Sequence, residues 1–317
     1  MTENSMNLIC PKDSSLLEFN SKENFFYCSS CSSKYPIEEG VIVFLDKKDA
    51  FYEGEYVNNL TTIKYLPKTK SFLSMFPLWL INSGYPWYVY KYVPEGSTIL
   101  ELGCGGGVNF FGKHYSTTGL DLSHRALKNI AGVYERCIMA DASKIPIEDE
   151  SVDAVVSSYF WEHIKPELKP PMLKEFSRVL KPNGKMIFLY DIETENRLIN
   201  ELKKKNVDLY KELFLEKDGH VGYQSYEENR KIFEQGGFVS IKHIGLERTF
   251  LQSQSVYNKL SVLGGTMGLF SKAGLLLNKS FLFYPYTYFL RITDCTIGNL
   301  FPINHSRVMV SILEKIR

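Results

Sequence analysis

From residue 98 onward, short apolar runs alternate with stretches of helical spacing. The runs at 98–102, 117–120, 136–139, 152–157 and 185–190 read as buried strands, each followed by small or polar residues. Met172, Phe176, Val179 and Leu180 fall at i, i+4, i+7 and i+8, which predicts a helix over 171–180 with one apolar face. Pro182-Asn183-Gly184 predicts a turn before the next strand. Ser225 and Glu228 form a capping box for a helix over 225–235, and Gly236-Gly237 supplies its stop. The runs at 238–246 and 307–312 predict two final strands, with 250–305 inserted between them. Strands that alternate with helices imply an α/β fold, a parallel sheet joined by crossover helices.

Upstream the pattern changes twice. Residues 1–46 hold Cys10, Cys28 and Cys31 and end in the strand-like Val41-Ile42-Val43-Phe44-Leu45. Residues 47–95 are polar, then rich in aromatics such as Phe72, Phe76, Trp79, Tyr85 and Trp87, and read as a partly helical lid or linker. Residues 96–317 form the main domain.

With 317 residues the chain has room for one large α/β domain and accessories. Its net charge of +1 offers no global attraction to nucleic acid. The six cysteines are too few for a disulfide framework, so a reducing cytoplasm is the expected compartment. The N-terminus carries no signal pattern, and no run of eighteen uncharged apolar residues predicts a spanning helix.

The candidate chemistry centres on Ile99-Leu100-Glu101-Leu102-Gly103-Cys104-Gly105-Gly106-Gly107, a strand running into a glycine turn. Such a turn lets backbone approach a nucleoside cofactor without a Cβ clash. A dinucleotide fingerprint would need a third glycine where Val108 stands, and a phosphate-binding loop would need a lysine after Gly107. Glu101 also repels a pyrophosphate. Asp121 lies about twenty residues past the first strand, where an acid can hold a ribose; its other reading is a helix-start acid beside the cap Ser123. Asp141 in Ala140-Asp141-Ala142 can accept from an adenine amino group, or can be a solvated turn residue.

Over 98–190, Glu-Leu-Gly-Cys-Gly-Gly-Gly, Gly-Leu-Asp-Leu-Ser, Asp-Ala-Ser-Lys-Ile-Pro, Val-Asp-Ala-Val-Val-Ser-Ser and Phe-Ser-Arg-Val-Leu-Lys-Pro-Asn-Gly-Lys occur in one order. That order resembles the class I S-adenosylmethionine (SAM) methyltransferases, in the branch of ubiquinone, menaquinone and small-molecule enzymes. The resemblance implies a doubly wound, Rossmann-like, seven-stranded and mostly parallel sheet whose last two strands are antiparallel. It also implies SAM as cofactor, contacted by Glu101, Gly103, Cys104, Gly105, Gly107, Asp121, Leu122, Asp141 and Ala142, with Tyr159 at the methionine end. Glu101 suits the positive sulfonium and amino groups of SAM.

Methyl transfer needs positioning, plus a base when the nucleophile is a hydroxyl or an activated carbon. Trp161-Glu162-His163-Ile164 follows the fourth strand, at the carboxyl edge where such sheets bind ligands. His163 is the first candidate base, Glu162 its orienter, and His220 a second candidate. Equally, His163 can serve only as a packing or backbone-bonding residue.

Cys10-Pro-Lys-Asp13 and Cys28-Ser-Ser-Cys31 have the spacing of two zinc knuckles and resemble the zinc ribbons that precede some methyltransferases. The departure is Asp13, which stands where a cysteine is usual. Either Cys10, Asp13, Cys28 and Cys31 hold one structural zinc, or the ribbon is degenerate and held by packing.

Residues 256–304 are apolar and aromatic, with Lys259, Lys272, Lys279 and Arg291 against the single acid Asp294. This insertion suits peripheral contact with an anionic membrane, or a buried lid or dimer interface. The expected function is SAM-dependent methylation of an oxygen or carbon in a small or lipid-linked acceptor. The alternatives are a ribosomal-RNA base methyltransferase, which the charge balance disfavours, and a SAM-binding regulatory protein without catalysis.

Overall fold

Four short strands at the start of the chain, β1 (Glu18–Asn20), β2 (Phe25–Tyr27), β3 (Lys34–Glu38) and β4 (Val41–Val43), form an antiparallel meander. The structure is a computed structural model that describes residues 6–45, 53–54, 60 and 62–316. The expected boundaries at 46 and 47, and residues 47–52, 55–59 and 61 of the expected lid or linker, lie outside the described residues. Two aromatic helices follow, α1 (Phe72–Leu80) and α2 (Tyr85–Tyr92).

The main sheet then forms from β5 (Thr98–Leu102), β6 (Ser116–Asp121), β7 (Arg136–Met139), β8 (Val152–Ser158), β9 (Leu180–Asp191), β10 (Phe238–Leu246) and β11 (Val308–Lys315). Its order is β7-β6-β5-β8-β9-β11-β10. The first five of these are parallel, and β11 runs antiparallel to both β9 and β10. Because β5 has β6 on one side and β8 on the other, the winding reverses there. In open α/β sheets such a switch point, on the carboxyl edge, is where ligands bind.

Alternation along the strands fills two cores. Leu100, Leu102, Val155, Met186 and Phe188 face Met172, Leu173 and Phe176 of α5 (Lys169–Val179) and Phe233 of α8 (Tyr226–Gln235). Ile99, Met139, Val156 and Ile187 face Val89 of α2, Phe110 and Phe111 of α3 (Asn109–His114), and Leu127 and Ile130 of α4 (His124–Ile130) on the opposite side. Two further helices, α6 (Arg197–Lys205) and α7 (Val207–Lys211), lie between β9 and α8. The capping box of α8 forms as its sequence predicts, with the Ser225 amide donating to Glu228 and the Glu228 amide to Ser225 Oγ.

Two features differ from the sequence reading. The turn expected at Pro182-Asn183-Gly184 lies within the span of β9 rather than before it: Asn183 takes a left-handed φ of 62°, and pairing with β8 passes from Leu180 directly to Lys185. The ladder absorbs this as a register shift between Val152 and Ala154. The N-terminal strands are also joined to the main sheet. β4 pairs in parallel with β7, Leu8 bridges Ile147, and Met6 and Leu8 pack in the core that holds Leu100 and Trp161.

The insertion between β10 and β11 is helical: α9 (Gln254–Leu260), α10 (Gly265–Gly274) and α11 (Ser280–Cys295). α11 lies against α1, with the Phe76 and Tyr288 rings 5.6 Å apart and the Arg291 guanidinium 5.3 Å from the Trp79 ring centre.

Candidate functional site at the carboxyl edge

The glycine turn after β5 is tied to the end of β6 by one carboxylate. Asp121 Oδ2 accepts from the Gly105 amide at 2.9 Å, and Oδ1 accepts from the Ser123 amide at 2.9 Å. Gly105 sits at φ 47° and Gly103 at φ 56°, both left-handed. A Cβ on Gly103 would stand 2.7 Å from the Phe160 ring, so glycine is required there for space as well as for φ. Burial raises the Asp121 pKa, and the two amides oppose the shift. Ser123 Oγ accepts from the Ala126 amide at 3.1 Å and caps the following helix, so its capping role holds.

Glu101 is 2% exposed and lies beneath the turn. Its Oε1 accepts from the Tyr85 hydroxyl at 3.0 Å, and Oε2 accepts from the Tyr134 hydroxyl. Burial pushes its pKa up to about 7 against the pull of these two donors. Cys104 is buried, and its carbonyl accepts from the Gly107 amide at 2.7 Å. Leu122 is half-buried beside Asp121. Asp141 is exposed and accepts from the Ser143 amide at 2.8 Å, while Ala142 is buried. Tyr159 takes a left-handed φ of 53° just past β8. Its hydroxyl is 3.3 Å from Ser83 Oγ, in the turn between α1 and α2.

The three candidate catalytic residues meet. Glu162, His163 and His220 bring ligand atoms within 4.8 Å of one another, although His220 comes from the loop before α8. The two histidine rings are 5.2 Å apart. His163 Nδ1 donates to the Gly219 carbonyl at 3.0 Å, which leaves Nε2 of the neutral ring as a lone pair. Glu162 is 1% exposed; its Oε1 accepts from the Asp191 amide at 3.2 Å. Burial and the neighbouring Asp191 raise its pKa well above the usual range. Burial lowers the His220 pKa, with Asp191 acting the other way.

Residues 100–188 match the family model described as a methyltransferase domain. The chain carries a class I SAM-dependent methyltransferase domain. It is 29% identical over 206 residues to an uncharacterized protein of Haemophilus influenzae, covering 59% of this chain and 73% of that one. It is 33% identical over 131 residues to a Caenorhabditis elegans sterol 4-C-methyltransferase, covering 38% of this chain and 37% of that protein. It is 34% identical over 95 residues to an Arabidopsis thaliana tRNA (carboxymethyluridine(34)-5-O)-methyltransferase, covering 29% and 23%. The chain thus spans well under half the length of the last two relatives. Among solved structures, geranyl diphosphate C-methyltransferase from Streptomyces coelicolor gives a TM-score of 0.44 at 10% identity, over 73% of this chain and 74% of that one.

Around this methyltransferase domain, several residues of the site escaped the sequence reading. Asp191 ends β9, a strand-end carboxylate that the pattern rule could have found. Its Oδ2 accepts from Arg307, whose other donors bind both oxygens of Glu247 at 2.8 and 3.0 Å. Lys169 is fully buried and donates to the Gly222 carbonyl and to Gln224 Oε1, both at 2.7 Å, clamping the loop that carries His220. Burial lowers its pKa to about 7. Tyr85 and Tyr134 left no local signal. A shallow polar depression lined by Asp149, Lys174, Arg178 and Lys315 lies apart from this edge and includes none of the site residues.

At the N-terminus, two matching turns face each other. The Cys10 amide donates to the Ser15 carbonyl and the Cys28 amide to the Ser33 carbonyl, with Ser14 and Ser32 left-handed at φ 61° and 60°. Asp13 therefore occupies in the first turn the place that Cys31 holds in the second. Cys10 and Cys31 sulfurs are 3.5 Å apart, and the Cys28 sulfur is 3.4 and 3.5 Å from the Asp13 oxygens.

The Glu101 shift carries a stability consequence. Between about pH 4.5 and about pH 7 the folded chain holds a proton that the unfolded chain has lost. Stability therefore falls as pH rises through that window, and the full cost stands above pH 7. Glu101→Gln should raise the melting temperature by a few degrees relative to the parent at pH 8, with no such gain at pH 4. Thermal scans at both values check this, and an equal effect at both would contradict it.

Proposed function

We propose that this protein transfers the methyl group of SAM to an oxygen or carbon of a small or lipid-linked acceptor at the carboxyl edge of β5, β6 and β8. The observation that carries the reading is the convergence of Glu162, His163 and His220 at the edge where the glycine turn and Asp121 are locked together. The turn fits SAM by the test of its own geometry. Gly103 keeps the backbone bare beside Phe160, and the buried Glu101, with a pKa pushed up to about 7, is an acid that a cationic ligand would draw into its ionised form.

In this reading Gly103, Cys104, Gly105 and Gly107 let backbone approach the cofactor, and Asp121 with Leu122 holds the ribose. Asp141 and the Ala142 amide take the adenine edge, and Tyr159 closes the methionine end. SAM brings its own leaving group, so this chain's task is to orient, dry and activate the acceptor. The open lone pair on His163 Nε2 supports its role in drawing off an acceptor proton, with Glu162 and His220 beside it.

Transfer of labelled methyl from SAM should enter a lipid extract or a small-molecule fraction rather than total RNA. His163→Ala should lower turnover on the order of 10²-fold or more while affinity for S-adenosylhomocysteine stays within about threefold. Label found only in RNA would replace this acceptor class by the nucleic-acid one. Unchanged turnover would remove His163 from the chemistry.

The N-terminal turns support a single zinc held by Cys10, Asp13, Cys28 and Cys31. Their atom separations of 3.4–3.5 Å are those of ligands about 2.0–2.3 Å from a tetrahedral ion. The Tyr35 hydroxyl, 3.1 Å from Cys10 sulfur, would orient that thiolate. All six cysteines are free, which supports a reducing, cytoplasmic setting. Metal analysis of purified protein should find about one zinc that Cys28→Ser removes. Folded, zinc-free wild-type protein would make the ribbon vestigial.

A lipid acceptor is supported by the surface formed by α1, α10 and α11. Leu73, Leu269 and Phe281 are 84, 71 and 70% exposed, and Lys272 and Lys279 are exposed as well, whereas Lys259 pairs with Asp218 and Arg291 is buried beside Asp294. Among the described residues no helix is long and apolar enough to cross a membrane, so contact would be peripheral. The intact protein should co-sediment with anionic phosphatidylglycerol vesicles at low salt. Leu73→Glu with Phe281→Glu should cut the bound fraction severalfold and leave S-adenosylhomocysteine binding unchanged. Wild-type protein that stays in the supernatant would exclude membrane contact.

A further inference from the structure

We propose that Glu162, His163 and His220 bind one divalent transition-metal ion, whose open face takes an oxygen of the methyl acceptor. The inference deepens the methyltransferase reading of this edge and rests on it for the identity of the bound oxygen. The metal site itself rests on the atoms present.

Each of these side chains can offer an atom to an ion. Glu162 Oε2 and His220 Nδ1, with the neighbouring Asp191 Oδ1, are buried and have no hydrogen-bond partner among the described residues. His163 contributes a free nitrogen, since its Nδ1–H is spent on the Gly219 carbonyl. Such a tie from imidazole to a backbone carbonyl fixes the tautomer and aims the free nitrogen, as in the outer shell of metal sites.

The nearby cations are already engaged. Lys169 Nζ is used by the Gly222 carbonyl, Gln224 and Asn229, and Arg307 by Asp191 Oδ2 and Glu247. Buried polar atoms left without a partner forgo water at a cost. An ion that replaces the proton of Glu162 and takes the free ring nitrogens would remove that cost.

The chain also holds the two halves of this group together. The Gly222 amide donates to the Glu162 carbonyl at 2.8 Å. A Cβ on Gly222 would stand 1.8 Å from the Ile164 carbonyl oxygen, so only glycine permits this approach. His220 stacks on Tyr223 with ring centres 5.2 Å apart and planes within 13°. The ligand atoms lie within 4.8 Å of one another, and bonds of about 2.0–2.2 Å would draw them inward by about an ångström.

Two imidazoles and a carboxylate select manganese, iron, cobalt, nickel or zinc over magnesium and calcium, which prefer all-oxygen shells. His163 is only half-buried, which leaves one side of the group open to an incoming ligand. A hydroxyl bound there would give up its proton to water more readily, so with the ion bound His163 Nε2 would act on the acceptor proton through the metal, in place of the direct base role of the metal-free reading.

The test uses full-length protein and Mn²⁺ titration followed by electron paramagnetic resonance, a probe that thiolates compete for poorly. One equivalent of Mn²⁺ should lose its free-ion signal on the wild type and on Cys28→Ser. Glu162→Gln and His220→Gln should each weaken binding at least tenfold while S-adenosylhomocysteine affinity, read by calorimetry, confirms folding. Cobalt(II) should add a nitrogen/oxygen-type visible spectrum that is absent in His220→Gln.

Wild-type protein that binds S-adenosylhomocysteine yet takes up neither Mn²⁺ nor Co²⁺ outside the cysteine turns would overturn the site. If such metal-free protein still transfers methyl groups in chelator, the methyltransferase reading stands without the metal. Metal uptake by protein that transfers no methyl group to any acceptor would keep the site and sink the acceptor's part in it.

Discussion

The Asp121 carboxylate bridges two backbone amides, that of Gly105 in the first turn and that of Ser123 at the start of the next helix. Charge-assisted bonds of this kind are worth more than neutral ones, and burial leaves no water to compete. The bridge sets how far the glycine turn stands from the end of β6. Gly103 can then pass Phe160 at a distance no side chain would allow. Phe160 leads in turn into Trp161, Glu162 and His163, so the glycine turn and the Glu162–His163 pair share one mechanical reference.

A second constraint is imposed from outside the parallel sheet. Tyr85, from the helix before β5, and Tyr134, from the loop before β7, each place a hydroxyl on Glu101. The segment ahead of the domain is thereby part of the floor of the site. Ser83 beside Tyr159 and Arg291 above Trp79 extend the same contact towards the inserted helices. On the far edge, β4 adds a parallel strand to β7, and Met6 and Leu8 enter the central core. The cysteine turns are therefore fixed to the sheet and not tethered by a linker.

Buried polarity is concentrated on the carboxyl side of the sheet. Arg307 bridges Asp191 and Glu247 with three hydrogen bonds, a geometry in which burial of charge is sustained. The adjoining atoms of Glu162, His220 and Asp191 lack such partners. The contrast between one bonded set of charges and its unpartnered neighbours is the physical basis of the proposed ligand site.

What the residues determined by themselves was local and periodic. The strand runs, the apolar face of α5, the Ser225–Glu228 cap and the glycine turn all act within a few residues, where spacing and backbone sterics decide the outcome. The mostly parallel sheet with its antiparallel final pair and the candidate cofactor ladder were implied by the family resemblance carried by motif order, and Glu162 and His163 were legible as neighbours just past β8. Tertiary packing alone decided that His220 joins them, because a glycine contact and a buried lysine close a loop more than fifty residues away. It also decided that two tyrosines cap Glu101 and that Arg307 faces Asp191. Partners distant in sequence leave no periodic trace, and only the folded chain brings their side chains within bonding distance.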